Sequence, residues 1–365
     1  MPMVLQPGEL NFMYPENGDA VLKISANTTI VLACPGQNIT FDSSTIYRNV
    51  TSASCVSGSN LNVDSKTFAW ENITCDGTLS RMAKVTDNKC ENNGTEIEIG
   101  FQLTQDFFSR VFLICFDENA QRALYSKVSI SGAINKRNIV TNPGWVQTQD
   151  IFSIKNPNSY YNRITQRQTI NTLLGLPGNS TMYIKDNSNY FLSRGHITAK
   201  ADNFYPAQQQ ASFFLLNVAP QWQTCNANNW QTVEISVRDY AEAKRVDLLQ
   251  WTGVYGLATL PHSKTGQLVQ LYLYTQNNTK ALPVPELYWK IAYEPIKQKG
   301  IVLIVVNNPY LETYQRICED IADKITWINW DRNNQIKGFA YACTVDSFRK
   351  VVSYFPELTV QGVLL

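Results

Sequence analysis

Residues 191–203 read FLSRGHITAKADN, residues 211–223 read ASFFLLNVAPQWQ, and residues 224–234 read TCNANNWQTVE. The chain holds two histidines, and one of them, His196, sits in the first stretch as Ser193-Arg194-Gly195-His196. A strand-like run, Asn189–Leu192, delivers that turn, and Ala211–Val218 reads as the next strand. A Pro-containing loop follows, and then a helix. That helix carries Trp230, Val233, Val237 and Tyr240 at spacings of 3, 4 and 3, one apolar face at a helical period. The local order around His196 is therefore strand, strand, helix. Histidine exchanges a proton near neutral pH, its ordinary pKa being about 6.5, so His196 is the expected general base. The other histidine, His262 in Leu-Pro-His-Ser-Lys, reads as a surface loop residue.

Outward from this stretch, residues 136–365 carry few cysteines and longer elements. Arg163–Leu174 reads as a helix ended by Leu176-Pro177-Gly178-Asn179. Thr181–Ile184 and Asn189–Leu192 resemble the arms of a hairpin. Leu268–Tyr274, Ile301–Val306 and Gly338–Val345 read as strands, and Phe348–Phe355 as a short helix stopped by Pro356. Residues 1–135 read instead as short strands between turns: Ala20–Ile24, Thr29–Cys34, the alternating run Glu96–Phe101 and the fully apolar run Val111–Phe116. The expectation is an α+β chain. A small, disulfide-rich, mainly-β domain over 1–135 precedes a larger domain with a mixed central sheet over 136–365. The first is read as a stabilising module before a substrate-guiding one.

Composition restricts the function classes. Of 365 residues, 44% are hydrophobic and 17% charged, enough for a sizeable core, which excludes intrinsic disorder. The formal net charge is +1, so any polyanion site must be a local patch and not the whole surface. No run of 18 uncharged apolar residues exists, and no membrane association is expected. The N-terminal MPMVLQPGELNF lacks the apolar segment of a secretory signal, so a leader is expected to have been removed. Eight cysteines (Cys34, Cys55, Cys75, Cys90, Cys115, Cys225, Cys318 and Cys343) include no C-x-x-C pair, which argues against a zinc ribbon. Seven N-x-[ST] sequons begin at Asn27, Asn38, Asn49, Asn72, Asn93, Asn179 and Asn277. Sequons and cysteines together point to an extracellular glycoprotein with disulfides. Five cysteines in the first third cannot pair among themselves. Cys225 is the natural partner for the fifth, with Cys318 and Cys343 joined locally, although connectivity is not fixed by sequence.

Phosphodiester hydrolysis requires a nucleophilic water, a divalent cation and stabilisation of the leaving oxygen. His196 can take a proton from water. Asn226 can give a neutral carbonyl oxygen to Mg²⁺, an ion that keeps several waters. Glu234, about 80° round from Asn226 if both are helical, can hold metal-bound waters. Arg194, Arg163, Arg167 and Arg238 can bind phosphate, and Trp222 could stack on a base. Each residue alone has an ordinary reading. A lone histidine is a structural hydrogen bonder, Asn226 a cap, Glu234 part of a solvated helix face, and Trp222 or Trp230 core.

The ordered set resembles the DNA/RNA non-specific endonuclease family, the ββα-metal nucleases. That family's pattern is D-R-G-H, a strand ending S-N-x-x-P-Q, and N-x-x-x-W-x-x-x-E. Here the matching residues are Arg194-Gly195-His196, Asn217-Val218-Ala219-Pro220-Gln221, and Asn226, Trp230 and Glu234 at the same spacing. Trp251-Thr252-Gly253 and Val284-Pro285 with Tyr288-Trp289-Lys290 are similar to later family segments, so the likeness covers about residue 136 to the C-terminus. The cysteine-bearing first third looks like the extension of the family's secreted arthropod branch, which includes shrimp digestive DNases and insect double-stranded ribonucleases. The resemblance implies a secreted endonuclease dependent on Mg²⁺, with Mn²⁺ as the alternative. His196 would be the base, Asn226 the direct metal ligand and Glu234 a water-mediated one. Asn217 would brace the site, and Arg194 would contact phosphate or support the metal shell. The partner is nucleic acid held through its backbone, with duplex DNA the expected substrate and duplex RNA the alternative. One departure stands out: the family Asp is Ser193 here, which raises the rival reading of a catalytically impaired nucleic-acid-binding protein.

Overall fold

The structure, a computed structural model, describes residues 1–16, 18–42, 44–46, 48–148, 151–276 and 279–365. The sequon at Asn277 lies outside the described residues. Eleven strands and two helices position the site. They are β1 (Met82–Cys90), β2 (Gly94–Gln102), β3 (Phe108–Asp117), β4 (Arg122–Ile130), α1 (Arg163–Leu174), β5 (Leu192–His196), β6 (Val218–Trp222), α2 (Gln231–Lys244), β7 (Leu248–Tyr255), β8 (Leu287–Glu294), β9 (Lys299–Val306), β10 (Ala340–Cys343) and β11 (Gly362–Val363).

Nine of these strands form one sheet in the order β10-β9-β8-β7-β4-β3-β2-β1, with β11 pairing parallel to β9 and every other pair antiparallel. The central strands read as unbroken apolar runs because both faces are covered. Along β8, Tyr288 and Ala292 face the core shared with Trp230, Val233, Val237 and Ala241, so α2 lies on that side. Leu287, Trp289, Ile291 and Tyr293 point the other way, against Phe348, Val352 and Phe355 of the C-terminal segment. Lys290 falls on the α2 side by the same alternation, and its side chain is fully buried.

The expected boundary near residue 135 does not divide this sheet. β4, which ends before it, pairs along its length with β7, which lies well beyond it, with Tyr125 opposite Gly253 and Lys127 opposite Trp251. Residues 82–130 thus complete the large sheet, because an apolar strand such as β3 needs a neighbour on each edge to satisfy its backbone. The smaller N-terminal β region comprises a five-stranded sheet over residues 3–69 and a three-stranded one over residues 39–75. It has its own core, including Ile30, Leu32, Ile39, Phe41, Leu61 and Ile73. Ala20–Ile24 forms no strand.

Three disulfides are present: Cys34–Cys75 in the small region, Cys90–Cys115 between the end of β1 and β3, and Cys318–Cys343 at the end of β10. The bridge expected to Cys225 is not formed. Four of the first five cysteines pair locally, leaving Cys55 and Cys225 as buried thiols. Asn27, Asn49, Asn72, Asn93 and Asn179 are exposed, as sugar attachment requires. Among the described residues, no helix is long and apolar enough to cross a membrane.

Candidate active site

β5 and β6 pair antiparallel as a two-stranded ribbon, with His196 opposite Val218 and Gly195 opposite Ala219. Gly195 is required by contact. A Cβ there would lie 2.6 Å from Gln221 Cβ and 2.7 Å from Tyr288 Oη. The ribbon docks on the large sheet through polar ties. Tyr288 donates to Ala219 O at 2.8 Å, and the buried Asn307 donates to Pro220 O and accepts from the Trp222 amide. The second strand begins later than the sequence suggests. Ala211 ends a short helix begun by Pro206, a 3₁₀ turn covers Leu215–Asn217, and extended backbone starts at Val218. Asn217 causes this. Its side chain accepts from the Thr198 amide and donates to Thr198 O and Ser212 O, all at 2.8–2.9 Å, holding the backbone that follows His196.

After β6 the chain turns through Gln223–Cys225 into a wide π-helical turn, Asn226–Trp230, in which Asn228 leaves helical geometry (φ −129, ψ −106). Asn226 and Glu234 do not share one regular helix, so the 80° relation does not apply. Trp230, Val233, Val237 and Tyr240 are all buried, as their spacing predicts. Asn226 is half-buried, and its Nδ2 donates to Ser193 Oγ at 3.2 Å while Ser193 donates to Gln221 O at 2.9 Å. The hydroxyl thus fixes which way the amide points. Its NH₂ is engaged, and its carbonyl oxygen accepts no hydrogen bond among the described residues.

His196 lies between two aromatic rings, Trp145 at 4.9 Å and Phe213 at 5.0 Å between centroids. Burial lowers its pKa to about 4; the nearby Asp202 charge works against that shift and Lys200 with it. The imidazole is neutral at physiological pH, and its Nε2 is buried without a hydrogen-bond partner among the described residues. Arg194 donates to Asn158 Oδ1 at 2.7 Å and to Asn158 O at 2.9 Å, with its guanidinium over Tyr161.

Beneath the ribbon is a buried ionic cluster that single-residue reading did not find. Asp202 accepts from Arg238 at 2.6 Å, from Gln250 at 2.7 Å and from Lys290 at 3.3 Å, and Lys290 also donates to Thr252 at 2.9 Å. Burial alone would raise the Asp202 pKa, but the two cations and the Gln250 amide hold the carboxyl at about 2. Burial raises Glu234 to about 7, with Asp202 pushing the same way and Lys290 and Arg238 opposing.

Four expected substrate contacts change accordingly. Arg238, 4% exposed, is the buried partner of Asp202 and faces no solvent. Trp222 is fully buried against Tyr310. Arg163 donates to Lys185 O and Ser188 O, and Arg167 to Ile184 O and Asp186, so both guanidiniums hold the loop over 184–188. Those bonds satisfy backbone where a hairpin was expected, and residues 181–184 form no strand.

With this geometry in place, comparison with known proteins decides the family. The DNA/RNA non-specific endonuclease profile matches residues 92–348. The chain belongs to this family. The match begins within the large sheet, in keeping with strands β2–β4 being part of the nuclease fold. The chain is thus an α+β protein with a ββα-metal nuclease domain, formed at its site by β5, β6 and α2, and an N-terminal β region ahead of it. A salivary endonuclease of Lutzomyia longipalpis is 26% identical over 96% of this chain and 79% of that protein. Salivary proteins Tsal1 and Tsal2A of Glossina morsitans morsitans are 22% and 21% identical, over 78% and 92% of this chain and 71% and 84% of their own lengths. A chain from a crystal structure of the EndoG/EndoGI complex aligns over 69% of this chain and 87% of its own at 14% identity and a TM-score of 0.38.

Proposed function

We propose that the protein is a secreted, Mg²⁺-dependent endonuclease that hydrolyses phosphodiester bonds of nucleic acid with little sequence specificity. Duplex DNA is the leading substrate and duplex RNA the alternative. One contact carries the reading. Asn226 donates to Ser193, three residues before His196, and so ties the turn that offers a metal ligand to the strand that offers a base. The donor set suits a hard divalent cation: the oriented carbonyl oxygen of Asn226, with Glu234 to hold hydrating water. Among the described residues no cluster of three His, Cys, Asp or Glu competes for it. When bound, Mg²⁺ (or Mn²⁺) supplies positive charge against the phosphate and the departing oxygen. The neutral His196 takes the proton of the attacking water, so that no proton need first be lost from the ring. Arg194, beside His196 on β5, pairs with a phosphate oxygen. Asn217 keeps the backbone after His196 in place. Relatives named as salivary proteins, together with exposed sequons and three disulfides, support an extracellular setting.

The test is cleavage of duplex DNA, single-stranded DNA, duplex RNA and single-stranded RNA with Mg²⁺ and with EDTA. The expected result is cutting, duplex DNA first, that EDTA abolishes. Binding of all four without cutting any would replace this reading with that of a catalytically impaired binding protein, in which Ser193 in place of Asp is the lesion.

A further inference from the structure

Trp222, a candidate stacking residue, is buried, yet another aromatic ring stands beside His196. It comes from a segment outside the family motifs. Residues 137–148 run without regular structure apart from one bridge, and the fold pins them at several points. Gln209 donates to Asn138 O at 2.7 Å and accepts from the Val140 amide, and Lys200 donates to Val140 O and to Asn142 Oδ1. Arg81 donates to Gly144 O at 2.9 Å, and Val146 bridges to Phe214 through backbone bonds on both sides. Five anchors on an irregular strap fix one side chain, Trp145, against the site. Its ring lies 4.9 Å from the His196 imidazole, 4.8 Å from Phe213 and 5.9 Å from the Arg194 guanidinium carbon. Trp222, Trp230, Trp251 and Trp289 are all fully buried, whereas Trp145 is only partly covered.

We propose that Trp145 is a substrate-contacting residue of this nuclease: its partly exposed indole, beside His196 and Arg194, stacks on the base of the nucleotide flanking the scissile phosphate wherever that base is unpaired. The chemistry is that of a single-strand platform, an aromatic face next to a cation, here Arg194. Every base has a π-face, so such stacking adds affinity without selecting sequence. The inference deepens the reading of His196 as the base and rests on it.

The experiment compares two single strands of equal length, one carrying bases and one made wholly of abasic sites, which keeps the phosphates and removes the stacking partner. Dissociation constants are measured by fluorescence anisotropy in EDTA for the wild type, Trp145→Leu and Trp145→Phe. Trp145→Leu should weaken binding of the base-bearing strand by about 5- to 150-fold, the range for one stacked base. The abasic strand should bind almost unchanged, and Trp145→Phe should recover most of the loss. Equal weakening on both strands, or none on either, would overturn the proposal and leave Trp145 as packing for His196. The two readings fail separately. If His196→Ala still cleaves, the base assignment falls, whereas a base-dependent loss in Trp145→Leu stands whatever His196 does.

Discussion

Two clusters of polar side chains lie within this site and are built on opposite principles. In the lower one, Asp202, Arg238, Gln250 and Lys290 are almost fully buried, and Asp202 takes a hydrogen bond from each of the other three. In the upper one, Ser193, His196 and Asn226 are half-buried; His196 Nε2 has no partner, and the Asn226 carbonyl oxygen accepts nothing among the described residues. Buried charges left unpaired are strongly destabilising, so a cluster whose groups answer one another is a structural frame. Polar atoms held in place but left without protein partners are what chemistry requires. The sequence offers Arg238 and Asn226 on equal terms as polar residues near His196; burial and partners separate them.

The largest expected effect is on activity. His196→Ala should lower the cleavage rate by about 10²–10⁴-fold, the usual contribution of a general base, while the fold is retained. A variant keeping more than about a tenth of the rate would remove His196 from that role. The matching change below should act on stability. Asp202→Ala leaves Arg238 and Lys290 buried without their anion, and urea unfolding should show a loss of about 3–5 kcal/mol. Asn226→Ala, at the half-buried turn, should cost only about 0.5–1.5 kcal/mol, the net worth of its hydrogen bond to Ser193, while activity collapses. If Asp202→Ala were as stable as Asn226→Ala, the division between frame and reactive cluster would be broken.

That division also marks what could be read from sequence alone. Arg194-Gly195-His196 and the Asn226, Trp230, Glu234 spacing are local patterns, and the structure places them on a strand and on a turn leading into a helix. The apolar runs of β3 and β9 are legible for the same reason. What escaped was long-range. Lys290 reaches Asp202 across 88 residues, and Asn307 holds Trp222 across 85. No window of sequence contains both ends. The boundary at residue 135 failed in the same way: cysteine density changes there, while the β4–β7 pairing that ignores it joins Tyr125 to Gly253. Trp222 stayed open between core and stacking residue because an exposed and a buried tryptophan on a short strand look alike until the partner surface is known. Trp145 sits in a strap with no periodic signal at all.

Ser193 gives a finer cut through the upper cluster. It accepts from Asn226 Nδ2 and donates to Gln221 O, so Ser193→Ala frees the amide to turn without removing the oxygen proposed to bind the metal. The Mg²⁺ concentration for half-maximal rate should rise by about 10-fold or more, as when a group supporting a ligand is lost, with the rate at saturating Mg²⁺ much less changed. Ser193→Asp, which restores the family residue, should move the half-maximal concentration the other way. Unchanged Mg²⁺ dependence in both would mean that the Asn226 orientation does not matter.

The smallest effect separates the two clusters by pH. The ordinary histidine pKa is 6.5, and burial holds His196 at about 4. As pH falls below 6.5, the unfolded chain takes up a proton that folded His196 refuses until about pH 4, so acid favours unfolding across that window. The stability contributed by a neutral His196 is therefore fully present above pH 6.5 and lost on acidification toward 4. Asp202 moves in the same sense but lower, between its ordinary 3.8 and about 2, and Glu234 moves oppositely, from 4.5 toward about 7. Wild type and His196→Ala share both carboxylates, so their difference in melting temperature isolates the histidine. That difference should be constant above pH 6.5 and shift steadily against the wild type from 6.5 down to 4. A difference that stays flat over the window would mean that His196 titrates normally in the folded protein, and that the aromatic walls of Trp145 and Phe213 do not keep it dry.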